Sequence, residues 1–289
     1  MRVFFFGLGY SSTATADLLQ KEAWTVSLTG TVRTLEKQQR LADAGIASHV
    51  FDGTAPGATL GPDLCQCSHV ILSIAPGEHG DPALIHHRAD LDAAENLQWL
   101  CYYSTIGVYG DFQGAWIDES APLVPRNDRS DRRVLAEQAW RDYAAERGVK
   151  LAILRLAGIY GPGRSTFDKL ADGTARRVIK PGQVFNRIHV EDIARITMLA
   201  AEARLEGTFN LADDEPAPPQ DLVTFACGLL GIEPPPEIAF EDAQFTPMQR
   251  SFYADNKRIS NAAIKQALGV QLQHPNYRES LTAIWKTMK

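Results

Sequence analysis

The stretch Arg2-Val3-Phe4-Phe5-Phe6-Gly7-Leu8-Gly9-Tyr10-Ser11-Ser12 decides the fold. Arg2 to Phe6 is a short, mostly apolar run, which reads as a strand buried on both faces. Gly7 and Gly9 close it, and a helical stretch follows with Ala14, Leu18 and Leu19 on one face. A strand that passes through a glycine-rich turn into a helix is the opening unit of a doubly wound α/β sheet.

The rest of the chain repeats that alternation. Strands are expected at Trp24 to Thr29, Ser48 to Phe51, His69 to Ile74, Trp99 to Ser104, Leu151 to Leu156 and Thr208 to Leu211. Helices are expected at Leu35 to Ala44, stopped by Gly45, at Ile85 to Gln98, and at Asp131 to Arg147, stopped by Gly148. In the last of these Leu135, Ala139 and Tyr143 form one stripe. The expected fold class is therefore α/β, a Rossmann-type doubly wound parallel sheet of about seven strands with a smaller C-terminal substrate lobe. That lobe begins where two proline clusters appear, Pro216, Pro218 and Pro219, then Pro234, Pro235 and Pro236. The segment around His189 and the last strand return to the sheet. The expected division is thus 1–157 plus 186–212 for the sheet domain, and 158–185 plus 213–289 for the lobe.

Composition narrows the function classes. The 289 residues are 45% hydrophobic and 22% charged, ordinary for a folded protein and too apolar for disorder. With 29 Lys+Arg against 35 Asp+Glu the net charge is -6, and no basic stripe suggests a nucleic-acid partner. No apolar run approaches the roughly 18 residues that would cross a bilayer. The opening run is too short for a secretory signal, so a cytoplasmic location is expected. Four cysteines in so long a chain do not make a disulfide framework.

Gly7, Gly9 and the small Ser12 stand at the three places of a dinucleotide-binding turn. The first glycine makes the turn, the second lets pyrophosphate approach the backbone, and the third place wants a small residue for helix–strand packing. Tyr10 and Ser11 then offer helix N-terminal amides to the phosphates. After the second strand come Gly30-Thr31-Val32-Arg33-Thr34, with no carboxylate before Glu36. An NAD site usually places an acid there for the ribose hydroxyls, whereas Arg33, helped by the Thr31 hydroxyl, suits a 2′-phosphate. NADP(H) is therefore expected to be favoured over NAD(H).

Several further pieces, in order and spacing, make the chain resemble the NAD(P)-dependent epimerase/dehydratase family, the extended branch of the short-chain dehydrogenase/reductases. They are Asp52; Ser104-Thr105-Ile106-Gly107-Val108-Tyr109-Gly110; Asp118-Glu119; Arg155-Leu156-Ala157-Gly158-Ile159-Tyr160-Gly161-Pro162-Gly163; Ile188-His189-Val190-Glu191-Asp192-Ile193-Ala194; and Phe209-Asn210. The resemblance covers nearly the whole chain. It implies that Asp52 faces adenine, that Ser73, Ile74, Ala75, Pro76 and Ser104 line the cofactor, and that Ala157, Gly158 and Ile159 sit near the nicotinamide. It also implies that Thr105 hydrogen-bonds the reacting oxygen, and that the substrate lies at the carboxyl ends of the strands.

Two departures from the family pattern matter. The family's proton donor and its partner form a Tyr-x-x-x-Lys pair on the helix after the fifth strand. Anchored on Leu135-Ala136-Glu137-Gln138, those places fall on Arg129 and Arg133, and the pair is read as absent from the chain. Arginine does not serve as a proton donor, since its pKa lies above roughly 12. Tyr109, four residues past Thr105, is the nearest replacement, with Arg133 assisting; its alternative role is packing in a Val-Tyr-Gly turn. In the second departure, nucleotide-sugar members place an arginine four residues before the histidine of His-Val-x-Asp, and Phe185 stands there. Lys180 and Arg187 flank it, so Tyr160, Lys180, Phe185 and Arg187 are the substrate-binding candidates for a small carbohydrate-like or anionic molecule.

Other groupings carry less. Cys65-x-Cys67-x-His69 has no second cluster at zinc-site spacing, and His79, His86 and His87 read as surface or capping groups, so no metal is expected. Ser104 lacks the flanking glycines of a hydrolase elbow. The apolar faces of the helices at 85–98 and 131–147 allow a homodimer. The alternative to an enzyme is a catalytically inactive NADP(H)-binding sensor that reports cofactor status to a partner.

Overall fold

The structure is a computed structural model that describes residues 1–25 and 27–288. In chain order it begins β1 (Arg2–Phe6), α1 (Tyr10–Leu19), β2 (Ser27–Val32), α2 (Leu35–Asp43), β3 (Ala47–Val50), α3 (Gly61–Cys65), β4 (His69–Leu72), α4 (Pro82–Asp92) and β5 (Trp99–Thr105). Then follow β6 (Trp116–Ile117), α5 (Asp128–Arg147), β7 (Lys150–Leu156), β8 (Gly158–Tyr160), α6 (Thr166–Ala171), β9 (Arg177–Ile179), β10 (Arg187–His189), α7 (Val190–Ala203) and β11 (Gly207–Leu211). The chain closes with α8 (Pro219–Leu230), β12 (Glu237–Ala239), α9 (Pro247–Phe252), β13 (Arg258–Ile259), α10 (Ala262–Leu268) and α11 (Tyr277–Thr287). Two compact units result: Met1–Val108, Pro125–Arg155 and Ile193–Phe209 form the first, and Tyr109–Val124, Leu156–Asp192 and Asn210–Lys289 the second.

The first unit is built on a seven-stranded parallel sheet in the order β11-β7-β5-β4-β1-β2-β3. The order reverses between β1 and β4, so the chain leaves β1 one way and β4 the other and opens a crevice at their carboxyl ends. Alternate residues of the central strands, Phe4, Phe6, Val70, Leu72, Leu100 and Tyr102, share one core cluster with Leu91, Trp140 and Tyr143 from the helices. Both faces of these strands are covered, which explains their continuous apolar character. Tyr103 on β5 ties two helices to the sheet: its hydroxyl is 3.0 Å from Thr15 Oγ1 on α1 and 2.8 Å from Thr197 Oγ1 on α7.

Three differences from the sequence expectation have a physical lesson. The second strand starts at Ser27 and runs to Val32; Val26, inside the expected range, lies outside the described residues. The helix expected from Ile85 to Gln98 spans Pro82–Asp92, because the Asp81 carboxylate accepts the Ala83 N–H at 2.9 Å and Pro82 takes the first helical position. On α5 the inward stripe is Ala136, Glu137, Trp140, Tyr143 and Ala144, while Leu135 is 68% exposed. The reason is electrostatic as well as apolar. Glu137, 2% exposed, receives Arg155 Nε at 3.0 Å, Arg155 Nη2 at 2.7 Å and the Ser104 hydroxyl at 2.6 Å. A buried carboxylate needs such partners, and they come from two strands.

The second unit contains three two-stranded parallel pairs, β8 with β10, β9 with β12 and β6 with β13. Its helices bury Phe167, Leu222, Ala226, Tyr277, Leu281 and Ile284 in one cluster, and Val178, Ala243 and Tyr253 form another. Residues 109–124 and 186–192, which the sequence assigns to the sheet domain, pack here. The pairings of Trp116 with Arg258 and of Arg187 with Gly158 are what draw them in.

Candidate functional site

The turn after β1 separates two kinds of glycine. Gly7 has φ +95°, and a Cβ there would meet Ser73 Oγ at 2.9 Å and Ile74 Cγ1 at 3.1 Å, so the chain itself demands glycine. Gly9 has φ -82°, and a Cβ would meet nothing within 4 Å. Neither backbone nor packing calls for glycine at that place. Gly9 is also the N-cap of α1, with no side-chain cap and no acidic residue in the first turn. No side chain caps the amides of the first turn, and the positive end of the helix dipole lies behind them.

The small residues around the turn hold it in shape. Thr31 Oγ1 accepts the Gly7 N–H at 2.8 Å, Ser12 Oγ donates to Ser73 Oγ at 2.9 Å, and Ser73 Oγ donates to the Gly7 carbonyl at 2.6 Å. Thr31 is fully buried, so its hydroxyl braces the turn instead of reaching a ribose phosphate as expected. Ser11 is buried, Tyr10 half-buried, Ala75 exposed and Pro76 half-buried.

Beyond β2, Arg33 is exposed and makes no hydrogen bond or ion pair among the described residues. Lys37, one turn on, has its pKa lowered by burial and by the charges of Arg40 and Arg33. Arg40 is paired with Glu36 at 3.9 Å, whereas Arg33 and Lys37 have no ion pair among the described residues. Thr34 caps α2, its Oγ1 accepting the Lys37 N–H at 3.3 Å. Asp52 is exposed, and its carboxylate accepts the Thr54 hydroxyl at 2.7 Å and the Thr54 N–H at 2.9 Å, bonds that hold its pKa down.

At the end of β5, neighbouring residues take opposite faces. Ser104 points inward, its hydroxyl committed to Glu137, which corrects its expected place beside the cofactor. Thr105 Oγ1 accepts the Gly107 N–H at 3.1 Å, and its own O–H has no acceptor among the described residues. Arg133 on α5 donates Nη1 to the Tyr103 carbonyl at 2.7 Å and to the Tyr102 hydroxyl at 3.1 Å. Burial pushes the Tyr102 pKa upward and keeps the phenol neutral. Arg129 is exposed at the start of the same helix.

The second unit holds the remaining candidates. Tyr109 is fully buried and donates its hydroxyl to Asn210 Oδ1 at 2.8 Å, a packed position that corrects its expected role as proton donor. Tyr160 donates to Ser280 Oγ at 2.6 Å, and Lys180 Nζ donates to the Tyr253 carbonyl, so both polar ends are engaged. Phe185 packs edge-on against Tyr253 at 5.0 Å. Arg187 donates Nη1 to the carbonyls of Phe185 at 2.9 Å and Ala217 at 3.0 Å. Burial lowers its pKa, an effect partly offset by Asp213, itself 1% exposed with a carboxyl pKa raised well above the ordinary range by burial. Ala157 donates its N–H to the Leu211 carbonyl at 2.9 Å, Gly158 donates to Asn186 at 3.1 Å, and Ile159 is half-buried.

Two features escaped the sequence reading. A Tyr-x-x-x-Lys spacing does occur, at Tyr253 and Lys257, which corrects its expected absence from the chain. It lies off any long helix: Tyr253 stacks among Phe185, Phe240 and Phe245, and Lys257 Nζ donates to the Gly110 carbonyl at 2.5 Å. A simple scan for the spacing finds it. The other feature is a grouping of His189, Glu191 and His274, which no local spacing announces. The cysteine–histidine cluster has structural roles. Burial raises Cys67 to about 12 and lowers His69 to about 4, and His69 Nε2 lies 3.2 Å from the Ala201 carbonyl.

A doubly wound sheet with a glycine turn, an uncapped first helix and an open space above Gly9 defines the dinucleotide-binding class of α/β proteins. Residues 87–212 match the sequence model of the NAD dependent epimerase/dehydratase family. It is 40% identical to a conserved protein of unknown function from Silicibacter pomeroyi DSS, with 99% of each chain covered and a TM-score of 0.87. It is 28% identical over 288 residues to Protein YeeZ of Escherichia coli K12, covering 95% of this chain and 97% of that protein. The UDP-glucuronic acid 4-epimerase of Bacillus cereus, solved in complex with NAD, shares the fold at 15% identity, with a TM-score of 0.76 over 99% of this chain and 98% of that one. Among the described residues no helix is long and apolar enough to cross a membrane.

Proposed function

We propose that the protein is an NADP(H)-dependent oxidoreductase or epimerase-like enzyme acting on a small carbohydrate-like or anionic substrate, without a tyrosine–lysine pair on α5. The observation that carries the cofactor choice is Arg33, exposed and unpaired among the described residues, beside Lys37 and Arg40. A 2′-phosphate would relieve the mutual repulsion of these cations, whereas a plain ribose would leave it standing. An anionic substrate is supported by the second unit. There Lys169 has its pKa lowered by burial and by Arg187 and Arg164, a cationic group that an anion would stabilise.

On the chemical side, Thr105 hydrogen-bonds the reacting oxygen through an O–H that has no acceptor among the described residues. Arg133 stands at the family's lysine place and acts as a fixed charge and donor, not as an acid. Calorimetric titration tests the cofactor reading. NADPH binds at least about tenfold more tightly than NADH, the scale of one charge-assisted bond to phosphate. Arg33→Ala removes that difference while leaving NADH affinity unchanged. NADH binding as tightly as NADPH to the unaltered protein refutes the proposal.

A further inference from the structure

The second unit brings together three donor atoms that have no part in the cofactor reading. His274 Nε2 lies 2.7 Å from Glu191 Oε2, and His189 Nδ1 lies 3.9 Å from the same oxygen. The two imidazole rings stand 3.6 Å apart at their centroids with 32° between their planes. All three donor atoms fall within 4.8 Å of one another. Bonds of about 2.1 Å around a tetrahedral ion place neighbouring donors about 3.4 Å apart, between the two separations observed.

The surroundings fix these groups in place. His189 is 1% exposed at the end of β10 and meets Tyr160 edge-to-face at 5.3 Å, so its ring has no room to turn away. The loop that carries His274 is pinned by Asp192, whose carboxylate accepts the amides of Gln273 at 2.7 Å and His274 at 3.0 Å. The Glu191 N–H donates to His189 Nδ1 at 3.3 Å, which selects the Nε2–H tautomer and leaves the lone pair on Nδ1. That contact is long, and a metal bond readily replaces it. Glu191 has a side chain 55% exposed, so the group is open to solvent on its side.

We propose that His189, Glu191 and His274 form a site for a borderline divalent transition-metal ion, bound through His189 Nδ1, a Glu191 carboxylate oxygen and His274 Nε2. Two imidazoles and one carboxylate suit zinc, cobalt or nickel. Magnesium and calcium, which prefer oxygen alone, are disfavoured. The ion takes the place of the proton between His274 Nε2 and Glu191, and that proton passes to Nδ1 of the same ring or to solvent. Water completes the coordination shell on the Glu191 side. The site does not depend on the cofactor assignment.

The test uses the full chain, stripped with a chelator and dialysed. Zinc is titrated by calorimetry and cobalt by its visible absorption, with NADPH affinity measured in parallel. One equivalent of each metal binds to the unaltered protein. Glu191→Ala, at an exposed position, and His274→Gln each weaken metal binding by at least about tenfold while NADPH affinity holds. If His274→Gln fails to fold, Glu191→Ala alone decides. No metal binding by the unaltered protein, or equal affinity in Glu191→Ala, overturns the proposal.

Discussion

Replacing Gly9 by serine should move stability and cofactor affinity in opposite directions. Gly9 has the extended conformation of an N-cap, no clash awaits a Cβ, and α1 has no side-chain cap. A serine hydroxyl would accept an amide of the first turn, and serine exceeds glycine at such places by a few tenths of a kcal/mol. That corresponds to a rise in Tm of about 1 °C for a chain of this size. The same hydroxyl and its Cβ would stand in the phosphate's path and occupy the amides it needs. Losing two charge-assisted bonds of about 1.5 kcal/mol each weakens binding by about two orders of magnitude. Gly7→Ala is the control, because φ +95° and the 2.9 Å approach to Ser73 Oγ make it lower Tm without a ligand present. Differential scanning fluorimetry reads the first effect and calorimetry with NADPH the second. Gly9→Ser protein that binds NADPH as tightly as the unaltered chain would refute the assignment of this turn to phosphate.

Further outcomes follow from buried polar groups. Glu137→Gln removes the counter-charge of the buried Arg155 and should lower stability by about 3 kcal/mol or more, read as a Tm drop of roughly 5 °C. Tyr109→Phe removes the bond to Asn210 and should lower stability by about 1 kcal/mol, with NADPH affinity unchanged; unchanged stability together with lost turnover would return Tyr109 to the chemistry. His69 has a folded pKa depressed from 6.5 to about 4 by burial. The unfolded chain therefore takes up a proton between these values that the folded chain refuses, so stability is full above pH 6.5 and falls as pH drops toward 4, by about 3 kcal/mol in all. Urea midpoints at neutral and acid pH, compared with those of His69→Gln, check this slope.

How far the sequence was legible depended on the range of the interactions involved. The alternation of strands and helices and the glycine turn are local patterns, and the sheet order follows from them through rules of handedness and connection. The sequence points to Leu135 for the inward stripe of α5, one position off, because Leu135 is the apolar choice and Glu137 the polar one. What reverses that choice is Arg155 on a strand many residues later, and no helical periodicity reports such a partner. The start of α4 was locally readable from Asp81 and Pro82, but the apolar Ile85 drew the boundary inward. Thr31 and Ser104 have suitable hydroxyls at the right points of the sequence. Only the fold reveals that each is already bonded, to the Gly7 amide and to Glu137.

The buried group around Glu137 also acts as a ruler for α5. Arg133 and Arg141 stand one turn before and one turn after it, and Arg141 Nη2 reaches within 3.6 Å of its carboxylate. An apolar helix face can slide or roll over a sheet with little change in energy. A carboxylate that fits one guanidinium and one hydroxyl has a single home. Rotating α5 by one residue, or sliding it by one turn, would strand a charge in a dry interior. The charge in the core therefore gauges where Arg133 stands, fixing its height and bearing at the Tyr103 carbonyl more tightly than apolar contact alone.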